Sequence, residues 1–519
     1  MKPRQFLGKI LKYKRFAQKK GQESSAVAGT RHVDPSLAKS ETWAKDTFAE
    51  CHDVKVQKIG FHEEQDVTIL LVYCEGLSDM KQINQTIIPS LREWLSEIHI
   101  WPLDEEIFIS DWPISTLKKE TMLENLVPKI FNGELILFVD GLASAYTLDI
   151  ANLPQRKPEE ASTEVSIRGP RDGFIEDLSV NVALVRKRLR TESLSYEQYM
   201  LGERSQTKAG LLYIKDIIRP EVVEEVKQRL SEIDIDAIYS SNELEELLAE
   251  SKWSLFPLFE YTGRPDYVIA ALLRGRFAIL LDGVPTAIIA PANLTLLFKS
   301  AEDLHNSYSI VVFGRLLRLL GLCIALFLPG IYIGIATYHQ DQLPLTLLAT
   351  LVMSRKGVPL PTPMEALMMM LLFELFREAG VRLPNAIGQT LAVVGGLIIG
   401  DAAIRAGMTS PSLLVVIATT AVATFTLVNQ SLAGAVSILR IGILFASSIL
   451  GLFGFILSVF VILICLANLR SFGVPYLAPV SPFTFRDAVH AVLRVPFSYS
   501  KKRPKMLNNI DSTRRKGGK

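Results

Sequence analysis

Five ionisable side chains lie in or beside long apolar stretches: Glu365, Glu374, Asp401, Arg405 and Arg440. A charge at the centre of a membrane helix costs about 2.5–3.5 kcal/mol on insertion scales, so such groups usually face a bundle interior or a water-filled path. The chemistry they suit is ion passage or gating rather than bond making. Asp401 and Arg405 are four residues apart, so they meet on one helix face and can pair. A purely structural pairing at an interface competes with a role in permeation, because Arg also snorkels to headgroups. Gln389, beside Thr390, adds a polar group to one apolar stretch. Gly330 with Gly334, and Gly396 with Gly400, form four-residue steps that let helices pack closely.

Conventional catalytic chemistry finds no foothold. The chain has no P-loop, GxGxxG, HExxH or GxSxG pattern. No two of its seven histidines have metal-ligand spacing of three to five residues. Its four cysteines form no CxxC pair and are too few for a disulfide scaffold. Neither a cofactor nor a metal is expected, and an enzyme is the least favoured class. Arg168-Gly169-Pro170-Arg171 can be read as a phosphate- or nucleic-acid-binding turn, but a linker with solvated or paired charges is preferred, so no nucleic-acid partner is expected.

The elements that must position the charges fall into two halves. The chain has 519 residues, 49% of them hydrophobic, and a mean hydropathy of +0.25. Its net charge of +2 hides an asymmetry. From Gly314 onward there are 19 Lys and Arg against 7 Asp and Glu, whereas the first 313 residues carry 37 against 47. An acidic front half before an apolar, then basic, back half points to a membrane. Four stretches have the length a bilayer requires: 316–338, 384–404, 411–428 and a run over 438–469 that reads as one tilted helix or two short ones. Two shorter runs, 343–353 and 364–376, suit interfacial, re-entrant or spanning helices equally. Arg315, Arg318 and the basic tail place both ends in the cytoplasm, giving an even number of spans, four, with six as the alternative.

The front half reads as an α/β cytoplasmic module of two subdomains, 41–153 and 173–313, after a basic segment (1–40) and joined by a linker (154–172). An α-helical integral membrane domain over 314–470 and a basic tail over 471–519 complete the organisation. Strands are expected over 54–59 and 67–74, and a helix over 90–100. Asp-Gly turns at 140–141 and 282–283 mark hairpins over 135–149 and 277–290. A charged helix is expected over 174–190, with a strand over 209–214 and a helix over 220–233. The two hairpins align at an offset of 142 residues, which suggests a duplicated unit; convergence on a common pattern is the alternative.

These residues also carry a resemblance. The run Arg168 to Asp177, the motif Tyr261-Thr262-Gly263-Arg264-Pro265-Asp266, the strand-turn Gly275 to Gly283, His339-Gln340, Glu374 to Pro384, Gly388 to Gly400 and Ser471 to Tyr476 occur in the order found in A subunits of GerA-type spore germinant receptors. The chain resembles that family over roughly residues 120–480. It departs at Asp401, often Gln in the family, and at Arg405, often acidic. The resemblance implies a multi-pass protein of the spore inner membrane, acting with a transporter-like B subunit and a lipoprotein C subunit. It further implies self-association into a ring that conducts monovalent cations when a nutrient is sensed. A paralogous membrane protein assisting ion release, or a non-conducting scaffold, are the rival readings.

Overall fold

The computed structural model describes residues 32–61, 67–97, 117–152, 169–382, 400–493 and 502–513. The expected span over 384–404, with Gln389 and Gly396, lies almost wholly outside the described residues, as does most of the expected linker. The chain forms two compact units, Met1–Gln155 with Val182–Tyr196, and Arg156–Asn181 with Glu197–Lys519.

The first unit is a helix-sheet-helix sandwich. Its elements are α1 (Leu37–Thr47), β1 (Val54–Phe61), β2 (Val67–Cys74), a helical stretch α2 (Met80–Gln82, a π turn Ile83–Ile87, then Ile88–Glu97), β3 (Lys118–Glu120), α3 (Leu123–Ile130), β4 (Glu134–Val139) and β5 (Ala145–Asp149). The antiparallel sheet has the order β1-β2-β4-β5-β3. Alternate residues of β2 point to opposite faces. Leu70 and Val72 join Leu37, Ala44 and Leu126, while Ile69 and Leu71 join Ile83, Leu91 and Trp94. Covering both faces explains why β2 is an unbroken apolar run. Arg186 is buried here against Asp53 with a bidentate contact of 2.8 and 2.9 Å.

The second unit repeats this plan. It contains α4 (Leu178–Arg186, whose last residues cluster with the first unit), β6 (Leu194–Leu201), β7 (Thr207–Ile214), α5 (Pro220–Ser231), α6 (Ser241–Leu248), β8 (Glu260–Thr262), α7 (Pro265–Leu272), β9 (Phe277–Leu281) and β10 (Ala287–Ala290). Its sheet order, β6-β7-β9-β10-β8, is the same topology. The 142-residue offset carries β3 onto β8 and α3 onto α7 without adjustment. The turn aspartates have the same job in both copies. Asp140 accepts the Leu37 N–H at 3.1 Å, and Asp282 accepts the Leu178 N–H at 3.1 Å. Each supplies an acceptor that the first turn of a helix lacks.

One expectation needs correction, and one element was not expected. The helix expected over 174–190 is confined to Leu178–Arg186. Asn181 holds the Ile175 backbone through both its N–H and its C=O, and Asp177 accepts from the Ser179 and Val180 amides, so the chain turns before the helix begins. Strand β6 had no sequence expectation.

After α8 (Leu294–Leu297) the second unit continues into an apolar bundle: α9 (Tyr308–Tyr338), α10 (Leu345–Ser354), α11 (Thr362–Arg382), α12 (Pro411–Phe425) and α13 (Gln430–Asn468). Helices α9 and α13 are long and apolar enough to cross a bilayer. A straight 39-residue helix would extend about 58 Å, but α13 breaks at Gly451, where φ is 64°. It folds back on itself. A Cβ at Gly330 would meet Ile443 at 2.6 Å and Phe455 at 3.4 Å, residues from opposite arms. Both ends of α13 return to β8 and the residues just before it: Asn429 donates to the Glu260 carboxylate at 3.2 Å and Ser471 to the Leu258 carbonyl at 2.9 Å. The run over 438–469 is therefore two antiparallel arms.

Candidate functional site

Helix α9 begins near the sheet, where Asp303 accepts from Arg315 at 3.0 Å and from Arg318 at 3.1 Å through each oxygen. It ends at the α13 reversal, where the Tyr338 hydroxyl donates to the Ser448 carbonyl at 2.7 Å. These contacts define a sheet-proximal and a distal end of the bundle. Helices α11 and α12 run the other way. The α11 start reaches Ser410 at the distal end, and Arg377 lies beside Ser437 nearer the sheet. Ser412 of α12 is 3.1 Å from the Tyr332 hydroxyl, while Thr426 packs on Gly321.

Midway through the bundle Arg440 and Glu374 meet. Arg440 Nη2 donates to Glu374 Oε1 at 2.8 Å, and Nη1 donates to Thr424 Oγ1 at 3.1 Å. Arg377 Nη2 lies 2.9 Å from the other Glu374 oxygen, and Arg377 Nη1 donates to Ser437 at 2.7 Å. Burial of such a pair is tolerated only when geometry and hydrogen bonds repay desolvation. Here one carboxylate is held by two guanidiniums. Beside them is a cavity of about 730 Å³, with Glu374, Arg377, Asp401 and Arg440 on its wall.

The other candidate residues have different surroundings. Glu365 is fully buried and caps α12: it accepts from the Ser410 amide at 2.5 Å, the Ser410 hydroxyl at 2.7 Å and Thr409 at 3.0 Å. A carboxylate at a helix N-terminus is favoured by the dipole and by unsatisfied amides. Its second oxygen lies 3.8 Å from Arg355 Nε. Asp401 and Arg405 form the i,i+4 pair at 2.8 Å, with both side chains more than half exposed. Glu374 and Arg440 are thus brought together, whereas Glu365 stands at the distal end in a separate contact set. Gly330 and Gly334 face the two arms of α13, where a Cβ at Gly334 would lie 3.2 Å from Leu452. A Cβ at Gly400 would lie 3.2 Å from Leu414.

Sequence reasoning did not single out Arg377, Arg355, Thr424, Ser437 or Ser410. Arg377 carried a usable signal, its i,i+3 spacing from Glu374. The serines and threonines carried none, since hydroxyls are ordinary in apolar helices.

A second polar cluster joins sheet and bundle. Arg264 binds Asp266 through Nε at 3.1 Å and Nη2 at 2.8 Å, and Glu302 through Nη1 at 2.6 Å. His305 Nε2 is 2.7 Å from Asp266. Burial pushes the Asp266 carboxyl up, but hydrogen bonds and charge from Arg264 and His305 outweigh it and hold Asp266 below the usual range. The cluster is continuous in sequence with Asp303, which anchors α9.

Comparison with known proteins assigns the class. Residues 42–506 match the profile of the Bacillus/Clostridium GerA spore germination protein, so the chain belongs to the GerA family. Among individual relatives, it is 48% identical over 470 residues to spore germination protein XA of Bacillus anthracis, covering 90% of this chain and 96% of that one. It is 36% identical over 484 residues to spore germination protein KA of Bacillus subtilis, covering 93% and 88%. The crystal structure of the N-terminal domain of the A subunit of the Bacillus megaterium spore germinant receptor GerK3 aligns with 51% of this chain and 98% of its own, at 25% identity and a TM-score of 0.38.

Proposed function

We propose that this chain is the membrane A subunit of a germinant receptor in the spore inner membrane. It acts with B- and C-type partners, assembles with copies of itself, and gates the release of monovalent cations. The observation that carries this reading is the buried Glu374–Arg440 pair within the bundle, continuous through α9 and α13 with an α/β sheet anchored at Asp303 and Glu260. In the arrangement described here Glu374 is neutralised by two guanidiniums, which suits a closed state. Opening separates the pair and frees a carboxylate for cations.

Helix directions favour six spans over four. Among the described residues α9, α11, α12 and the two arms of α13 make five passes, and an even number is expected. Both termini are then cytoplasmic.

The test is cation flux through the full chain reconstituted in liposomes, alone and with its B and C partners. Flux that changes with Glu374→Gln supports the reading. No flux from a folded, oligomeric protein under any condition would favour the scaffold reading, and normal release from spores stably expressing Glu374→Gln would remove Glu374 from the gate.

A further inference from the structure

Helix α9 is longer than the core of a bilayer is thick. Its 31 residues extend about 46 Å, against a hydrocarbon thickness of about 30 Å. Arg315 and Arg318 are tied to Asp303 beside the sheet, so the turns before them stand at headgroup level on the sheet side. Those turns are nonetheless apolar and open: Tyr308, Ile310 and Phe313 are 56–65% exposed.

The tail returns to this level after α13. The Leu294 N–H donates to the Tyr476 carbonyl at 2.9 Å, and Asn293 donates to the Ala478 carbonyl at 2.7 Å. A further helix, α14 (Phe485–Val492), packs against both α8 and α9. Its two sides differ sharply. Asp487, its single acid, is buried and accepts from the Lys505 and Met506 amides at 2.7 and 3.3 Å. Phe485 lies two residues away, about 200° round the helix, and is 73% exposed. Phe483 is 69% exposed and meets Phe485 edge-on, with ring centroids 6.5 Å apart. Val480, 56% exposed, precedes them.

We propose that Val480, Phe483 and Phe485 insert into the sheet-side leaflet, at the boundary between phospholipid headgroups and acyl chains, and hold the second sheet against the bilayer. Apolar and aromatic side chains on one side of a short helix suit that boundary. Charge selects the same surface. Residues 471–519 carry ten Lys and Arg against two Asp. Both acids are engaged, Asp487 with the two amides and Asp511 with Arg503 at 2.5 Å. A basic segment next to a membrane span is drawn to anionic lipid. The proposal rests on the reading that α9 and α13 span the membrane.

The experiment uses the full chain in nanodiscs of phosphatidylcholine and phosphatidylglycerol, with a fluorophore on one exposed cysteine. Cys323 and Cys465 are exposed whereas Cys51 and Cys74 are buried, so Cys323→Ala with Cys465→Ala gives an unlabelled background. Phe483→Cys and Val480→Cys each place the label in the patch. Phe460→Cys, on α13, is the bilayer control, and Tyr239→Cys, at a 75% exposed position before α6, is the aqueous control. Spin-labelled lipids quench from within the bilayer, and iodide quenches from water. Labels at 483 and 480 should shift to the blue, lose emission to headgroup-level spin labels and resist iodide. Deep spin labels should quench at 460, and only iodide at 239. Labels at 483 and 480 open to iodide, with 460 quenched by lipid, would overturn the proposal and leave the spanning reading standing. Resistance to iodide without lipid quenching would mean that protein, such as a second copy of the chain, covers the patch, and would overturn it equally. A label at 460 that lipid does not quench would remove the spanning reading and the proposal together.

Discussion

Arg440 and Glu374 are 66 residues apart in sequence and 2.8 Å apart in the fold, on two helices that also meet through Arg377 and Ser437. Removing one partner leaves a buried charge, which costs about 3–5 kcal/mol in buried pairs. Arg440→Met should therefore lower the unfolding temperature of the detergent-solubilised protein markedly. Combining it with Glu374→Leu should recover much of the loss, because both charges are then gone. Additive losses in this double-mutant cycle would show that the two groups are not energetically coupled.

Gly451 and Gly442 lie in the same helical run but should answer oppositely to alanine. At Gly451 φ is 64°, and a Cβ would lie 3.0 Å from Tyr338 Cβ. Left-handed backbone costs a non-glycine residue roughly 1–2 kcal/mol, so Gly451→Ala should destabilise the bundle. At Gly442 a Cβ has open space, and helix propensity favours Ala by about 1 kcal/mol. Thermal unfolding of the two variants decides; equal effects would contradict the reversal at Gly451.

The turn aspartates offer a test of the repeat. Asp140→Ala and Asp282→Ala should each cost about 1 kcal/mol, the usual value of a lost helix-start acceptor. Hydrogen exchange at the Leu37 and Leu178 amides should quicken in the matching variant alone. Unchanged exchange in either would mean that its aspartate does not hold its helix.

Asp266 gives a pH signature. Its carboxyl is held below the ordinary range, which lies near pH 3.9. The stability it contributes is present above that ordinary value and disappears as pH falls from there through its folded value. Asp266→Asn should be less stable near neutrality and show a shallower loss of stability below about pH 4. Unfolding temperatures measured across this range would expose a wild-type and variant that titrate in parallel, the result that rules the linkage out.

The hairpins were legible because Asp140-Gly141 and Asp282-Gly283 sit between apolar runs, and both glycines have the positive φ that such turns require. The second hairpin also led to the repeat, although convergence remained open until the sheet orders could be compared. Strand β6 escaped because Glu197, Tyr199 and Met200 interrupt its burial, giving no clean alternation over its length. The length of the run over 438–469 allowed two short helices, but the position of the break at Gly451 was not legible. Apolar residues flank it on both sides, so composition marks no turn, and only backbone conformation distinguishes it from the other glycines of α13. Charges in apolar segments could be found by composition, but their partners could not. Glu365 meets Ser410 from 45 residues away, a relation set by helix packing rather than by spacing.

The reversal of α13 makes the two arms feet of one arch standing on one sill. Asn429 and Ser471 hold the Glu260 carboxylate and the Leu258 carbonyl, two residues apart in sequence. The two feet are thereby tied to nearly the same point of the chain, so a movement of one is passed to the other, and Arg440, partway up one arm, would move against Glu374 with them.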